Sequence, residues 1–252
     1  MRDILIAGLG LIGGSIGKAL RRRGWRVRFL DPAVSSEEAR QSGAADEKAE
    51  SFDLAELILL ATPIDVALDQ LERLQSSRAL VTTTCSVMRP VREHAGRLRL
   101  VAGHPFAGSE QSGLPVADVA LFEGRPWFID RPDEQISQVI RECGAQPVTV
   151  DPFHHDETLA LTSHLPQVIA TALGSILAGA DPTFVGSGAH SLLRLSGSSH
   201  ELWGPTLEHN RANVERAIEQ LCVTMRGLSE PEFERAQRFY RTIPASASRP
   251  ER

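Results

Sequence analysis

The chain has 252 residues, of which 42% are hydrophobic and 23% are charged, and its formal net charge is −5. This composition is that of an ordinary soluble globular protein with one large domain or two modest ones, and its acidic balance argues against a nucleic-acid-binding protein. The cysteines Cys85, Cys143 and Cys222 are too far apart for a disulfide framework or a metal site, so we expect a reducing, cytoplasmic location.

The N-terminal segment carries the pattern of a dinucleotide-binding turn. Residues 4–7 form a short apolar run typical of a buried parallel strand, and Gly8, Gly10 and Gly13 follow it at G-x-G-x-x-G spacing. Glycines at this spacing give a tight turn, room for a pyrophosphate and close packing of the next helix, predicted over residues 11–23. The alternative is a turn that uses glycine for structural reasons alone.

An acidic residue ends the second predicted strand, residues 25–30. Asp31 follows the glycines at close to the expected distance of roughly 20 residues. Its carboxylate would bind ribose hydroxyls and repel a 2′-phosphate, so the sequence predicts NAD rather than NADP, although Asp31 is alternatively a cap before Pro32. The predicted cofactor-binding residues are Gly8, Gly10, Leu11, Ile12, Gly13, Asp31, Thr62 and Pro63.

Strands and helices alternate as far as Val150. Apolar runs at residues 57–61, 80–84 and 98–102 alternate with helical patterns, and the alternation continues through 126–129, 134–143 and 147–150. The pattern predicts one parallel sheet covered by helices on both faces, which is an α/β Rossmann-type domain over residues 1–150. Ligands bind such sheets beyond the carboxyl ends of the strands, where Gly8, Thr62, Ser86 and His104 are expected.

Residues 103–113 combine a histidine, two serines, a glutamate and three glycines. Pro105 disfavours a helical conformation for His104, so its imidazole is expected on an extended segment just past a strand. The composition is that of a functional site rather than a core. A surface turn with a solvated histidine is the alternative.

The chain after Val150 has a helical period, which predicts an all-α C-terminal dimerisation domain over residues 151–243 and a disordered tail over 244–252. One face of the helix near residues 165–177 is apolar and the other carries small residues, so we expect it to be buried all round, partly by a second subunit. We interpret the uncharged run 158–180 as a buried helix rather than a membrane span. A second amphipathic helix is predicted over residues 214–228.

Several polar residues of this half are candidates for a site. His164 has uncharged, apolar neighbours and is predicted to face a ligand, whereas His154 and His155 are interpreted as capping or surface residues. Arg194 is flanked by leucines, and a buried arginine would need an anion. No metal site is expected, because the sequence has no HExxH pattern and no cysteine pairs.

These residues resemble the prephenate/arogenate dehydrogenase family of tyrosine biosynthesis over about residues 2–240. The resemblance rests on the glycine turn, on Thr62-Pro63-Ile64, on the block from Gly103 to Glu110 and on His155-Asp156. It also rests on Ser163-His164-Leu165-Pro166 and on Arg194 followed by Leu202-Trp203. It implies an NAD(P)-dependent oxidative decarboxylation in which His104 takes the proton of a ring hydroxyl and Ser86 orients it. The implied substrate-binding residues are Arg194, Glu110, Ser109, His164, Gln167 and Trp203.

Two departures from the family pattern concern the substrate. Gln167 stands where many prephenate-using members have a histidine, and Ser191 stands where an aspartate is common. We expect prephenate to be used and arogenate to be accepted at a lower rate. The β-hydroxyacid dehydrogenases are disfavoured because their catalytic lysine lies in the helical half and no lysine follows Lys48. A catalytically silent NAD-binding sensor is the alternative that is not an enzyme.

Overall fold

A computed structural model describes residues 2–107 and 111–243. The predictions for Ser109, Glu110 and the tail at 244–252 lie outside these residues. Six strands form a sheet in the order β3-β2-β1-β4-β5-β6, and every neighbouring pair is parallel. The strands are β1 (Asp3–Ala7), β2 (Arg26–Leu30), β3 (Glu47–Lys48), β4 (Leu57–Leu60), β5 (Leu80–Thr83) and β6 (Arg99–Val101).

The helices of this half pack on both faces of the sheet. Alternate residues of β1 point to opposite faces, so Ile4 and Ile6 belong to one buried cluster and Leu5 and Ala7 to the other. The helices are α1 (Leu11–Arg22), α2 (Ser36–Gln41), α3 (Ile64–Arg73), α4 (Arg89–Glu93) and α5 (Glu134–Glu142). The strand order reverses between β1 and β4, which is where such folds bind dinucleotides.

The prediction of a single parallel sheet is wrong for the later strands. β7 (Gly103–Pro105), β8 (Pro126–Ile129) and β9 (Gln146–Thr149) form a separate sheet, in which β7 and β8 are antiparallel. The chain changes sheets at Gly103, where a Cβ atom would lie 2.7 Å from the carbonyl oxygen of Thr83. Only glycine fits this close approach, and an alternating strand–helix pattern does not encode which sheet a strand joins.

The C-terminal half is helical, as predicted. Its longest element consists of α6 (Pro152–Leu159), a π-helical turn (Ala160–His164) and α7 (Leu165–Leu177). Pro166 has no amide hydrogen for the carbonyl four residues earlier, which accounts for the altered register before it. The other helices are α8 (Ser187–Leu193), α9 (His200–His209), α10 (Arg211–Arg226) and α11 (Glu230–Tyr240), and a 3₁₀ turn (Arg194–Gly197) follows α8.

The expected all-round burial of α7 is not present in a single chain. Only Leu165, Gln167 and Ala170 of α7 are buried, and Ile176 is 78% exposed. In the described part of the chain, Pro152–Leu177 is the one helix long and apolar enough to cross a membrane by length and composition, a test that core helices of soluble proteins also pass. The helix therefore presents an uncovered apolar surface.

Candidate active site

The three glycines of the turn between β1 and α1 have different surroundings. Gly8 has a φ angle of 86°, and a Cβ there would lie 2.6 Å from the carbonyl oxygen of Ala61. A Cβ on Gly13 would lie 2.0 Å from the carbonyl oxygen of Gly8, whereas a Cβ on Gly10 would meet nothing within 4 Å. Gly8 and Gly13 are thus required by packing, and the space beside Gly10 is open for a phosphate at the N-terminus of α1.

Asp31 lies beside this turn at the end of β2. Its Oδ2 accepts a hydrogen bond from the Leu9 amide at 2.8 Å, and its Oδ1 accepts one from the Ala33 amide at 2.8 Å. The capping role considered from the sequence is therefore real. Each carboxylate oxygen still has a lone pair for a second donor, so capping and ribose binding are compatible.

The remaining predicted cofactor residues lie at the same edge of the sheet. Leu11 and Ile12 are half-buried in the first turn of α1. Thr62 follows β4 and donates from Oγ1 to Oε1 of Gln70 at 2.9 Å, and Pro63 is exposed at the N-terminal end of α3. These positions agree with a role beside a dinucleotide, which stays a prediction.

His104 is buried in β7 and is not part of a solvated surface turn. Its ring contacts the rings of Phe106 and Phe128, with centroids 6.0 and 6.3 Å away. Its Nδ1 lies 3.0 Å from Nε2 of His155. Burial, reinforced by His155 and His164, lowers the pKa of His104 from an ordinary value of 6.5 to about 3. The imidazole is therefore neutral at physiological pH.

The interpretation of His155 as a capping or surface residue is wrong. His155 and Asp156 are buried at the interface between α6 and α4, and Nδ1 of His155 lies 2.8 Å from Oδ1 of Asp156. The Asp156 carboxylate also accepts the amides of Met88 and Arg89, each at 2.8 Å. A carboxylate with these donors at the start of α4 is held in a fixed orientation.

His164 is linked to Asp156 through Asn210. Nδ2 of Asn210 lies 3.1 Å from Nδ1 of His164 and donates to the carbonyl oxygen of Asp156 at 2.8 Å. The rings of His164 and Trp203 meet edge to face, with centroids 6.0 Å apart. Burial is the main cause that lowers the pKa of His164 to about 4. The structure thus brings together His104, His164 and Trp203 from the predicted set.

Gln167 lies one turn beyond His164. Its Nε2 donates to the carbonyl oxygen of Leu195 at 2.9 Å, which fixes the orientation of the amide. Its buried Oε1 has no hydrogen-bond partner among residues 2–107 and 111–243. The side-chain oxygen of Gln167 is therefore available as a hydrogen-bond acceptor.

Two other predicted residues have different surroundings. Arg194 is exposed in the single chain, so the expectation of a buried arginine is wrong. The reason is that α8, which precedes it, has no buried residues, and the neighbouring Leu192 is itself exposed. Ser86 is half-buried after β5, two residues before the Met88 amide that binds Asp156.

Comparisons with known proteins match both halves of the chain. Residues 16–146 match the family model of the prephenate dehydrogenase nucleotide-binding domain, and residues 151–238 match that of the prephenate dehydrogenase dimerization domain. A prephenate dehydrogenase of Bacillus subtilis is 31% identical over 85% of this chain and 66% of its own length. One of Lactococcus lactis is 30% identical over 69% of this chain and 53% of its own length.

Solved structures agree with these matches. The chain belongs to the prephenate dehydrogenase family. An arogenate dehydrogenase from Synechocystis has a TM-score of 0.76 at 28% identity, covering 94% of this chain and 96% of that one. A prephenate dehydrogenase from A. aeolicus, solved with hydroxyphenyl propionate and NAD+, has a TM-score of 0.80 at 26% identity, covering 94% of this chain and 92% of that one.

Membership of the prephenate dehydrogenase family confirms the predicted family and fold class. The first family model describes a nucleotide-binding domain, and the A. aeolicus structure was solved with NAD+. The chain spans about two thirds of the length of the Bacillus subtilis relative and about half of that of the Lactococcus lactis relative.

Sequence reasoning did not predict that His155 is buried between His104 and Asp156 or that Asn210 contacts His164. The signal that was present is the adjacent His155-Asp156 pair, which belongs to the family resemblance. Nothing local in the sequence shows that the start of α4 covers this pair, since Met88 and Asp156 are 68 positions apart. Burial of the pair follows from how two distant helices pack.

Proposed function

We propose that this chain is an NAD-dependent dehydrogenase that converts prephenate to 4-hydroxyphenylpyruvate by oxidative decarboxylation. The observation that carries the proposal is the buried, neutral imidazole of His104 just beyond the carboxyl end of β6. Family membership and the names of the relatives, prephenate dehydrogenases and an arogenate dehydrogenase, support the substrate class.

In the proposed reaction, Nε2 of His104 takes the proton of the ring hydroxyl, because Nδ1 already contacts His155. Hydride leaves the carbon that bears this hydroxyl for the nicotinamide, and the ring carboxylate departs as CO2 while its electron pair enters the ring. The ring becomes aromatic, and its phenolate oxygen takes the proton back from His104. The protein mainly has to position the two reactants.

NAD, when bound, supplies the hydride acceptor. The open space beside Gly10 and the N-terminus of α1, whose first turn has no acidic residue, fit its pyrophosphate. The Asp31 carboxylate fits the ribose hydroxyls and disfavours a 2′-phosphate. Leu11, Ile12, Thr62 and Pro63 complete the proposed cofactor-binding edge, and this is also our proposal for the choice of NAD over NADP.

The substrate-binding roles are proposals as well. Ser86 would orient the hydroxyl towards His104, and Arg194 would pair with a carboxylate that both prephenate and arogenate possess. His164 and Trp203 would line the pocket on the helical side. The free acceptor on Gln167 suits a donor such as the ammonium group of arogenate, so arogenate is expected to react measurably although prephenate is preferred.

We also propose a cytoplasmic homodimer formed through the helical half. The second family model describes a dimerization domain, and many large apolar side chains of this half are exposed in the single chain. A monomeric protein rarely leaves such a surface uncovered. The exposed residues are Ile176, Phe184, Leu192, Leu202, Val223, Met225, Phe233 and Phe239.

A steady-state assay of the purified protein with prephenate and arogenate, each with NAD and NADP, tests the proposal. We expect the highest kcat/KM with prephenate and NAD. Arogenate exceeding prephenate tenfold, about 1.4 kcal/mol of differential transition-state binding, would reverse the substrate assignment. If neither substrate turns over while NAD still binds, the chain is a sensor rather than an enzyme.

A further inference from the structure

Three buried side chains form a line from the two-sheet half into the helical half. Nδ1 of His104 lies 3.0 Å from Nε2 of His155, and Nδ1 of His155 lies 2.8 Å from Oδ1 of Asp156. All three residues are buried. A buried line of polar groups is costly to a fold unless every member is satisfied, so each hydrogen in it has a defined place.

The hydrogens can be assigned from the Asp156 end. The amides of Met88 and Arg89 donate to the two oxygens of Asp156, which must therefore accept and is ionised. His155 then carries its hydrogen on Nδ1, and in the neutral ring Nε2 becomes an acceptor. The contact between the two histidines needs one hydrogen, which must lie on Nδ1 of His104. The lone pair of His104 is consequently on Nε2.

We propose that His155 and Asp156 are positioning residues that hold His104 as the Nδ1–H tautomer and stabilise the positive charge it acquires during turnover. This rests on the function proposed above. When the O–H bond of the substrate breaks and an Nε2–H bond forms, the new imidazolium donates through Nδ1 to His155, whose own hydrogen bond ends on the Asp156 carboxylate. The later return of the proton to the phenolate restores the resting arrangement.

The need for such support follows from the surroundings of His104. Its aromatic neighbours, Phe106 and Phe128, provide no acceptor for a positive charge beyond their ring faces. Within the described part of the chain, the titratable groups that face it are His155 and His164, and both disfavour its protonation. Arg89 lies near the far end of the line, where its charge interacts with Asp156. The single negative charge in contact with the line is that of Asp156, reached only through His155, among the residues the structure describes.

The line also connects the two halves of the protein. Asp156 belongs to α6, while the amides that it accepts begin α4 just after Ser86. One carboxylate thus orients the base through His155 and fixes the segment that carries the proposed hydroxyl-orienting serine. Displacement of α6 would disturb both groups together.

Two substitutions of His155 separate positioning from mere packing. In His155→Gln the side-chain amide can accept from His104 and donate to Asp156, whereas in His155→Leu it can do neither. We expect kcat of the Leu variant to fall by about 10²–10⁴, where the upper figure is the loss found when a histidine base loses its orienting carboxylate, and kcat of the Gln variant to stay within about tenfold of wild type. KM should change little in either. His154→Gln, at the exposed neighbouring position, is the matched control.

Thermal unfolding and the pH profile of kcat/KM complete the experiment. Equal kcat losses in the Gln and Leu variants, at equal thermal stability, would overturn the positioning role. Asp156→Asn should move the acid limb of the profile to lower pH, because the imidazolium loses its counter-charge. If the acid limb does not move in Asp156→Asn, Asp156 does not stabilise the imidazolium of His104.

The tautomer can be observed without any turnover, which separates this inference from the proposed reaction. In ¹⁵N-histidine NMR spectra of the whole protein, assigned with His104→Asn, we expect the His104 signal of a neutral ring protonated on Nδ1. A ring protonated on Nε2 would refute the inference even if prephenate is turned over. If His104 is the Nδ1–H tautomer but the protein turns over neither substrate, the proposed reaction is wrong and the positioning of His104 is still supported.

Discussion

The Asp31 carboxylate and the Leu9 amide are joined by a hydrogen bond of 2.8 Å, which ties the end of β2 to the glycine turn. The residue proposed to choose the cofactor therefore also supports the turn that would hold the pyrophosphate. A substitution that tests cofactor choice therefore has to remove the charge of Asp31 and keep its hydrogen bond with the Leu9 amide.

Asp31→Asn should weaken the preference for NAD over NADP by about tenfold, roughly 1.4 kcal/mol, because the amide oxygen can still accept from Leu9 while the repulsion of a 2′-phosphate is lost. The measurement is kcat/KM with each cofactor at saturating prephenate. Glu37→Gln, on the exposed face of α2, removes one charge elsewhere and serves as the control. Equal efficiency with the two cofactors in the wild-type protein would contradict the assignment at once.

His104→Asn should lower kcat by about 10²–10⁴, the usual contribution of general acid–base catalysis, because His104 is the group proposed to take the proton of the hydroxyl. NAD affinity, measured by calorimetry, should stay nearly the same since His104 is not part of the glycine turn. A variant that retained more than about a tenth of the wild-type turnover would show that His104 is not the base.

Acid should destabilise the fold between about pH 6.5 and pH 4. Burial lowers the pKa of His164 to about 4 and that of His104 to about 3, whereas an unfolded histidine titrates near 6.5. Below about pH 6.5 the unfolded chain therefore binds protons that the folded chain does not, and the free energy of unfolding falls as the pH falls. Each such histidine contributes about 1.4 kcal/mol per pH unit to the slope.

Urea denaturation at several pH values measures this slope. His164→Asn should flatten it by about 1.4 kcal/mol per pH unit relative to wild type. The exposed His190, replaced in the same way, provides the comparison. The same slope in wild type and in His164→Asn would mean that His164 is not kept neutral by the fold.

Light scattering at micromolar concentration should give about twice the chain mass of 27.5 kDa. Ile176→Glu should shift the protein to a monomer, because it places a charge in the apolar surface of α7 that the partner is proposed to cover. Leu54→Glu is the matched control, since Leu54 is 95% exposed but lies in the nucleotide-binding half. A wild-type monomer would refute the dimer.

The sequence predicted those features that depend on local patterns. The glycine spacing, the apolar strands and the acid after β2 are each encoded within a few residues, so β1, α1 and β2 were found almost to the residue. His104 was placed on an extended segment because Pro105 restricts it, and the structure has it in β7.

Features that depend on packing between distant segments were not predictable in this way. The second sheet exists because β7 pairs with β8 across more than 20 residues, a choice invisible to strand–helix alternation. His155 reads as a surface residue until α4 covers it. Leucines beside Arg194 suggested burial, yet in the single chain Leu192 is exposed and Leu193 and Leu195 are only half-buried. Hydrophobic neighbours indicate an apolar surface and not what covers it.

The π-helical turn at Ala160–His164 has a consequence for length changes in this helix. The turn contains one residue more than an α-helical turn would, so the extra residue is absorbed locally and the helix faces on its two sides keep their directions. Deleting one residue of this turn other than His164 should therefore leave a helix of regular pitch with His155 and Gln167 still on their present faces. Deleting one residue from the regular turn just before it, at 157–159, would instead rotate the rest of the helix by about 100°. His155 and Asp156 would keep their place under α4, while His164 and Gln167 would turn away from Asn210 and Leu195.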